Sequence, residues 1–445
     1  MTSHVRAPLP LPLLCLSLLS SATTLTGCGG SGTDAEPSTR QPAARDPAPE
    51  DGRGDAVEAS ADGAGAAERQ ADLMARANRF GMDLYQRLRV APGNVVISPI
   101  SAHAALSMTY AGAHGETKSQ MASALELDAD DATIHATYGG ALRSWNATTS
   151  ATLRVADRLY AQAGLALQEP FLAITRDDYD APLELLDFGA DPDAARGTIN
   201  RWVETRTEQR IPELLPSGAI TPLTRLVLVN AVYFKGTWRT PFDPAETEPR
   251  TFLVQGIAES NVTTMRTRGR FSFGRGDGVQ VLELPYAGDE LSMLLVLPST
   301  RGERSVDAVE ETLSERVLTI WRAAMSEQEV EVQLPRFRLE PPSAPLSGSL
   351  QALGMRDAFR ETADFRGIAG PQSGLYLAEV YHKAFIEVTE EGTEAAAATG
   401  VVVATRSARP QPDPASFIAD HPFLFFIVER RTGAILFLGR VSDPR

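Results

Sequence analysis

The sequence predicts a large α+β domain, and three observations carry that expectation. Strand-like runs occur in both halves of the chain, helical faces lie among them, and the two kinds do not alternate as they do in a doubly wound sheet. The chain has 445 residues, 43% of them hydrophobic, which is enough for a sizeable buried core. A net charge of −15 argues against a nucleic-acid partner, because phosphate binding needs a basic face. The only cysteines are Cys15 and Cys28, so the body carries no disulfide framework, thiolate zinc site or cysteine nucleophile. Only three of the 42 basic residues are lysine.

The first element is an apolar run, Leu9 to Leu25, preceded by His4 and Arg6. It has the make-up of a signal-peptide core and is too short, and too broken by Pro10 and Pro12, to span a membrane comfortably. The run ends in Leu25-Thr26-Gly27-Cys28, which resembles the lipobox of bacterial lipoproteins. That resemblance implies removal of residues 1–27 and acylation of Cys28. The protein would then be secreted and lipid-anchored in the bacterial cell envelope, on an extracellular or periplasmic face. Residues 28–70 are mostly Gly, Ala, Pro, Ser, Asp and Glu, a composition that reads as a flexible tether.

The folded body is expected over 71–445 as one domain, opening with Leu73, Phe80, Leu84 and Leu88 on one helical face. Ser98-Pro99 pairs a helix cap with proline at the first helical position, ahead of Ile100 to Tyr110. Ile199, Trp202, Val203 and Arg206 mark another helix. Strands are predicted at 152–160, 183–188, 225–234, 279–284, 291–297, 330–339, 375–388 and 423–428. Gly274, Gly276 and Gly278 read as a turn. No nucleophile elbow, phosphate loop, dinucleotide fingerprint or helical metal-ligand pair occurs, so neither an enzyme nor a cofactor is expected. His103, His382 and His421 lie in or beside apolar segments and read as core groups rather than parts of a Ser-His-Asp set.

The carboxyl-terminal third carries a family resemblance. Glu390-Glu391-Gly392-Thr393-Glu394, followed by Ala395, Ala396, Ala397, Ala398 and Thr399, resembles the hinge of inhibitory serpins. The segment from Phe417 to Phe423 and the closing run Leu436-Phe437-Leu438-Gly439-Arg440 are similar to later signatures of that family. Upstream, Asn94, Ser98, Pro99 and Ser101 resemble its shutter, and Asn230, Ala231, Phe234, Lys235, Gly236, Trp238 and Phe242 its central-strand motif. The resemblance implies a serpin fold, with three β-sheets, about nine helices and an exposed reactive-centre loop at about 390–414. It also implies a suicide mechanism, in which a protease cuts the loop and the freed loop inserts into the main sheet as a strand. Ser98, Asn230 and His382 would form a buried hydrogen-bond network under that sheet. Glu390 and Arg336 would tie the loop's base to a neighbouring strand.

Strand geometry makes the same loop insertable without reference to any family. Side chains alternate faces along a strand, so every second residue must become buried. From Thr393 that set is Thr393, Ala395, Ala397, Thr399, Val401 and Val403, all small or β-branched. A slip by one residue would bury Glu394, which fixes the register. No proline lies between Gly392 and Arg406 to remove a ladder donor. A strand added here gains around a dozen hydrogen bonds worth roughly 1 kcal/mol each, comparable with a whole domain's stability.

Counting fourteen residues from Gly392, as the family does, places the reactive bond at Arg406–Ser407. An arginine bait implies a trypsin-like target with an acidic specificity pocket. Arg409 is a poorer bait because Pro410 follows it, and Thr405 and Ser407 stand as alternatives. The region matching a heparin site in some relatives, 128–145, has Arg143 as its only Lys or Arg. The expectation is therefore a monomeric inhibitor whose partner is a serine protease and whose tether meets a membrane. A non-inhibitory binding or chaperone-like serpin, and an inhibitor of cysteine proteases, are the rival readings.

Overall fold

The computed structural model describes residues 53–147, 151–393 and 413–445. Two units separate along the chain, Met1–Gly54 and Asp55–Arg445, and the architecture below is that of the second. Helix α1 runs from Arg53 to Leu88, so residues 53–70, expected as tether, form helical backbone. The region is rich in Ala, the strongest helix former, but lacks the apolar spacing that would have marked a helix. Helix α2, Pro99–Tyr110, is buried at every one of its twelve positions. Ser98 caps it, its side chain accepting from Ser101 N, with Pro99 in the first turn as the sequence suggested. Among the described residues no helix is long and apolar enough to cross a membrane.

The strands, in chain order, begin with β1 (Val95–Ile97), β2 (Ala151–Gln162), β3 (Glu184–Leu186) and β4 (Leu226–Thr237). Next come β5 (Glu248–Val254), β6 (Ala258–Gly276), β7 (Val279–Pro285) and β8 (Leu291–Pro298). Then follow β9 (Ser326–Pro335), β10 (Phe337–Leu339), β11 (Ala344–Pro345) and β12 (Leu377–Val388). The last four are β13 (Gly392–Thr393), β14 (Ala415–Ile418), β15 (Phe423–Glu429) and β16 (Ile435–Val441). Seven strands form a mixed sheet in the order β10-β12-β13-β4-β2-β3, with β11 paired to β12. Nine form the other network, β1-β16-β15-β8-β7-β6-β9-β14, with β5 paired to β6.

The three sheets expected thus appear as two hydrogen-bonded networks, because β6 runs through 19 residues without a break. Its first part pairs with β5, its middle with β9 and its last five residues with β7. The single strand predicted at 330–339 is two strands, broken at Arg336 after Pro335. Arg336 donates its backbone N–H to Thr263 O, and the chain crosses there from one network to the other. Of the three glycines read as a turn, Gly278 lies in it (φ 75°) beside Asp277 (φ 50°). Gly274 instead lies within β6, where a Cβ would come within 2.6 Å of Ala324 O.

The largest core cluster fills the space between the two networks and α2. A buried charged cluster joins α1, the helix Ser305–Thr312 and β16. Glu310 is fully buried and accepts from Tyr85 OH and, at 3.0 Å, from the Arg440 guanidinium. Arg440 also donates to the carbonyls of Ala91 and Gly93 at 2.7 and 2.9 Å. Replacing Arg440 by Met would remove the nearer of the two cations that face the buried Glu310 carboxylate and leave it Tyr85 OH and, at 3.6 Å, Arg89. Loss of about 3–5 kcal/mol is expected in urea unfolding, and a loss under 1 kcal/mol would show the pair is dispensable.

Candidate gate in the mixed sheet

The site follows from how β12 and β4 meet. They are parallel neighbours, paired from Leu377 with Leu226 to Phe385 with Tyr233. Beyond Phe385 that pairing ends and β13 sits between them, antiparallel to both. Thr393 pairs with Val388 on one side and Gly236 on the other, and Gly392 with Thr237. A slot one strand wide is therefore filled at its mouth and closed below by the β12–β4 ladder.

The mouth is built from side chains that lock the segment before the loop. Trp238 donates its indole N–H to Thr389 O at 3.0 Å and stacks on Tyr286, centroids 4.6 Å apart. Tyr286 OH lies 2.7 Å from the Thr393 hydroxyl, and Thr393 is fully buried, the face the alternation rule assigned it. A Cβ on Gly392 would come within 2.0 Å of Gly236 O, so only glycine passes between the two ladders here. The Glu390 carboxylate is buried and accepts from Arg336 Nε at 2.8 Å and from Thr247 Oγ1 at 2.6 Å. Burial opposes its charge, yet the hydrogen bonds from Arg336 and Thr247 hold its pKa below the usual range. Glu390 and Arg336 are thus brought together as expected, and Thr247 is a partner the sequence did not indicate.

Under the closed part of the sheet lies a second cluster. Asn230 on β4 is flanked in register by His382 on β12 and Asp157 on β2, so three adjacent strands present one polar row. Helix α2 covers the row with Ser98 and Ser101. Ser98 N–H donates to His382 Nε2 at 3.1 Å, which leaves the ring proton on Nδ1, donated to Asn230 Oδ1. The Asn230 amide then donates to Ser101 Oγ at 2.5 Å and to Asp157 Oδ1. Ser101 Oγ donates to the same Asp157 oxygen at 3.4 Å. Burial lowers the His382 pKa to about 4 and raises that of Asp157 to about 8, so both are mainly neutral at pH 7. Ser98, Ser101, Asn230 and His382 meet as the sequence suggested. Asp157 was missed, although its place among the inward-facing Leu153, Val155 and Leu159 was a usable signal.

His103 and His421 are core groups in separate places. His103 bonds to Tyr138 OH and Leu125 O, and His421 to Asp420 and Pro298 O, so no triad assembles among them. Glu394 to Thr399, Arg406, Ser407 and Cys28 lie outside the described residues.

A seven-stranded mixed sheet with a two-residue wedge between parallel strands, beside a nine-stranded network, defines the class of fold. Residues 75–444 match the family described as serpin (serine protease inhibitor), and the chain belongs to that family. It is 40% identical over 385 residues to a leukocyte elastase inhibitor of Bos taurus, covering 84% of this chain and 99% of that one. Among solved structures it resembles Serpin48 of the insect Tenebrio molitor, with a TM-score of 0.75 and 30% identity over 84% of this chain and 98% of that one. Human thyroxine-binding globulin, solved with thyroxine, gives a TM-score of 0.77 at 28% identity, covering 84% and 99% of the two chains.

Glu390→Lys sets two cations against each other at the slot's mouth and frees the segment before the loop. Mild heating of this variant is expected to yield polymers on a native gel where the natural chain stays monomeric. An unchanged monomer would show that the clamp does not guard the slot.

Proposed function

We propose that this protein is a suicide inhibitor of trypsin-like serine proteases, baited by Arg406 and sprung by insertion of the cleaved loop between β12 and β4. The observation that carries this reading is β13, which already lies in that slot antiparallel to both neighbours. Extending it would exchange one parallel ladder for two antiparallel ones, a better pairing per residue. Thr393, first of the small inward set, is already buried there.

The chemistry belongs to the protease. Its serine oxygen attacks the Arg406 carbonyl carbon, forming an ester as the Arg406–Ser407 bond breaks and the amine of Ser407 leaves with a proton. The loop upstream of Arg406 is then free at one end and zips into the slot, carrying the ester-linked protease along. Hydrolysis fails because the protease is distorted before water completes the second step. The hinge from Glu390 through Gly392, Thr393, Glu394, Ala395 to Ala398 and Thr399 forms the leading part of the new strand. Ser98, Ser101, Asn230, His382 and the Arg336–Glu390 pair act as structural restraints on its opening.

The decisive experiment is a denaturing gel of the full chain after incubation with trypsin. A covalent band at the summed mass is expected, and none with Arg406→Ala. Cleavage at Arg406 without that band would establish a substrate and favour a non-inhibitory binding role, of which thyroxine-binding globulin is a named example in the family.

The leader supports a second part of the proposal, anchoring of the inhibitor to the cell envelope by acylated Cys28. On expression in a bacterium, the natural chain is expected in the detergent phase and Cys28→Ser in the aqueous phase. Equal partition of the two would remove the anchor.

A further inference from the structure

We propose that Asp157 is a proton-operated lock on the mixed sheet: neutral, it lets β2, β4 and β12 close over an uncharged network, and ionised, it loosens that closure and hastens loop insertion. This rests on the insertion reading above for its last step only.

The geometry puts Asp157 at the end of the row that insertion must break. A strand entering between β12 and β4 moves His382 one strand spacing from Asn230, about 4.8 Å, and ends their hydrogen bond. The β2–β4 pairing survives, so Asn230 keeps Asp157 as its neighbour on the other side. The strength of the closed row therefore depends on how Asp157 holds the Asn230 amide. Its Oδ1 accepts both hydrogen bonds it receives, from Asn230 and Ser101. Its Oδ2 has no hydrogen-bond partner among the described residues, so the acid proton belongs there. Asp157 is only 8% exposed, yet it lines a cavity of about 430 Å³ that opens to solvent beside β2. That cavity is the route by which the proton can leave.

Nothing facing Asp157 compensates a charge on it. From α2 it meets Ser101, with His103 two residues further along and neutral at pH 7. From β4 and β12 it meets Asn230 and, beyond it, neutral His382. The cavity's walls bring Arg143 from the helix Asp131–Ala147 and Arg206 from the helix Pro192–Arg206. They also bring Arg176 to Asp180, the end of the helix Glu169–Asp177 and the turn after it, and Arg154 from β2 itself. Arg154, Arg176 and Arg206 pair with Glu208, Asp177 and Asp180, and Arg143 reaches Asp177 O. Arg158 on β2 pairs with Glu184. No cation lies within ion-pair distance of Asp157 among the described residues. Burial is accordingly the leading cause of its raised pKa, only partly offset by the hydrogen bonds from Asn230 and Ser101.

The sign follows from linkage. The carboxyl titrates near 3.8 when freely solvated and at about 8 in the closed sheet, so the closed form binds its proton more tightly. Its contribution to stability is complete below about pH 4 and is lost progressively as pH rises to about 8. Any form that opens the row to water gains over the closed one across that window.

Asp157→Asn tests this, because the amide keeps an acceptor for Asn230 and Ser101 and stays neutral at every pH. Three measurements on the full chain are compared between the two proteins. In carbon-13 spectra of Asp-labelled protein, one carboxyl resonance is expected to titrate near pH 8 and to vanish in Asp157→Asn. A titration of that resonance near pH 4 overturns the lock. The thermal midpoint is expected to fall further between pH 5.5 and pH 8 in the natural chain than in Asp157→Asn. Parallel curves overturn it as well. Conversion to the heat-resistant, loop-inserted form is expected to run on the order of tenfold faster at pH 9 than at pH 6.5, and to be flat in Asp157→Asn. If the stability gap is present and neither protein converts at any pH, the insertion reading fails while the protonation of Asp157 stands. Should Asp157→Asn fold poorly, the carbon-13 titration of the natural chain still decides the matter.

Discussion

The parallel contact between β12 and β4 is the constraint on which the rest of this structure depends. These strands come from segments about 150 residues apart, and nothing covalent nearby obliges them to touch. Parallel ladders are slightly weaker per residue than antiparallel ones. The sheet is therefore closed along its centre by its less favourable kind of pairing. Sequence elsewhere in the chain is arranged around that line. Helix α2 is buried along its whole length and packs over the junction, the wedge β13 fills the gap beyond Phe385 where the pairing stops, and the Glu390 clamp stands at the same end.

Two kinds of polar chemistry guard the junction, and they differ because their access to water differs. At the mouth, Arg336 is half exposed, so it keeps much of its hydration while neutralising buried Glu390. Under the sheet Ser98, Ser101, Asn230, His382 and Asp157 are all buried, only Asp157 borders a solvent-open cavity, and the network is built from groups that are mainly neutral at pH 7. A fixed charge there would need a partner and further hydrogen bonds to be tolerated. Such a partnered charge does occur at Glu310, where Arg440 and Tyr85 both reach it. That site ties α1, a surface helix and β16 together, on the network that contains no slot.

Much of this was legible in the sequence, and the parts that were not have physical reasons. The positions of β4, β8 and β15 stood out as nearly unbroken apolar runs, and those of β2, β7 and β12 as segments rich in aliphatic and aromatic residues. The long β6 did not, because residues 258–276 carry many Arg, Thr, Ser and Gly among few large apolar residues, and a run that polar reads as loop. The break at Arg336 was hidden because both halves continue the same apolar pattern while pairing with different strands. The start of α1 at Arg53 was hidden because helix propensity without an apolar face gives no periodic signal. In the site, Ser98, Asn230, His382, Glu390 and Arg336 came from motif resemblance, and their contacts span up to 284 residues of sequence. Asp157 and Thr247 belong to no motif, and only the register of β2 against β4 and the fold of the chain before β5 bring them in.

The two residues of β13 also bear on the speed of what the fold is proposed to do. Starting a strand is slow when its first contact must be found by a loose loop, since closing that loop costs entropy before any ladder forms. Here the first rung is in place, with Thr393 hydrogen-bonded to Tyr286 and paired on both sides. A cut loop would therefore have no search to make, and each further residue would add to a growing zipper. In a race against hydrolysis of an ester, a nucleus formed in advance is a head start.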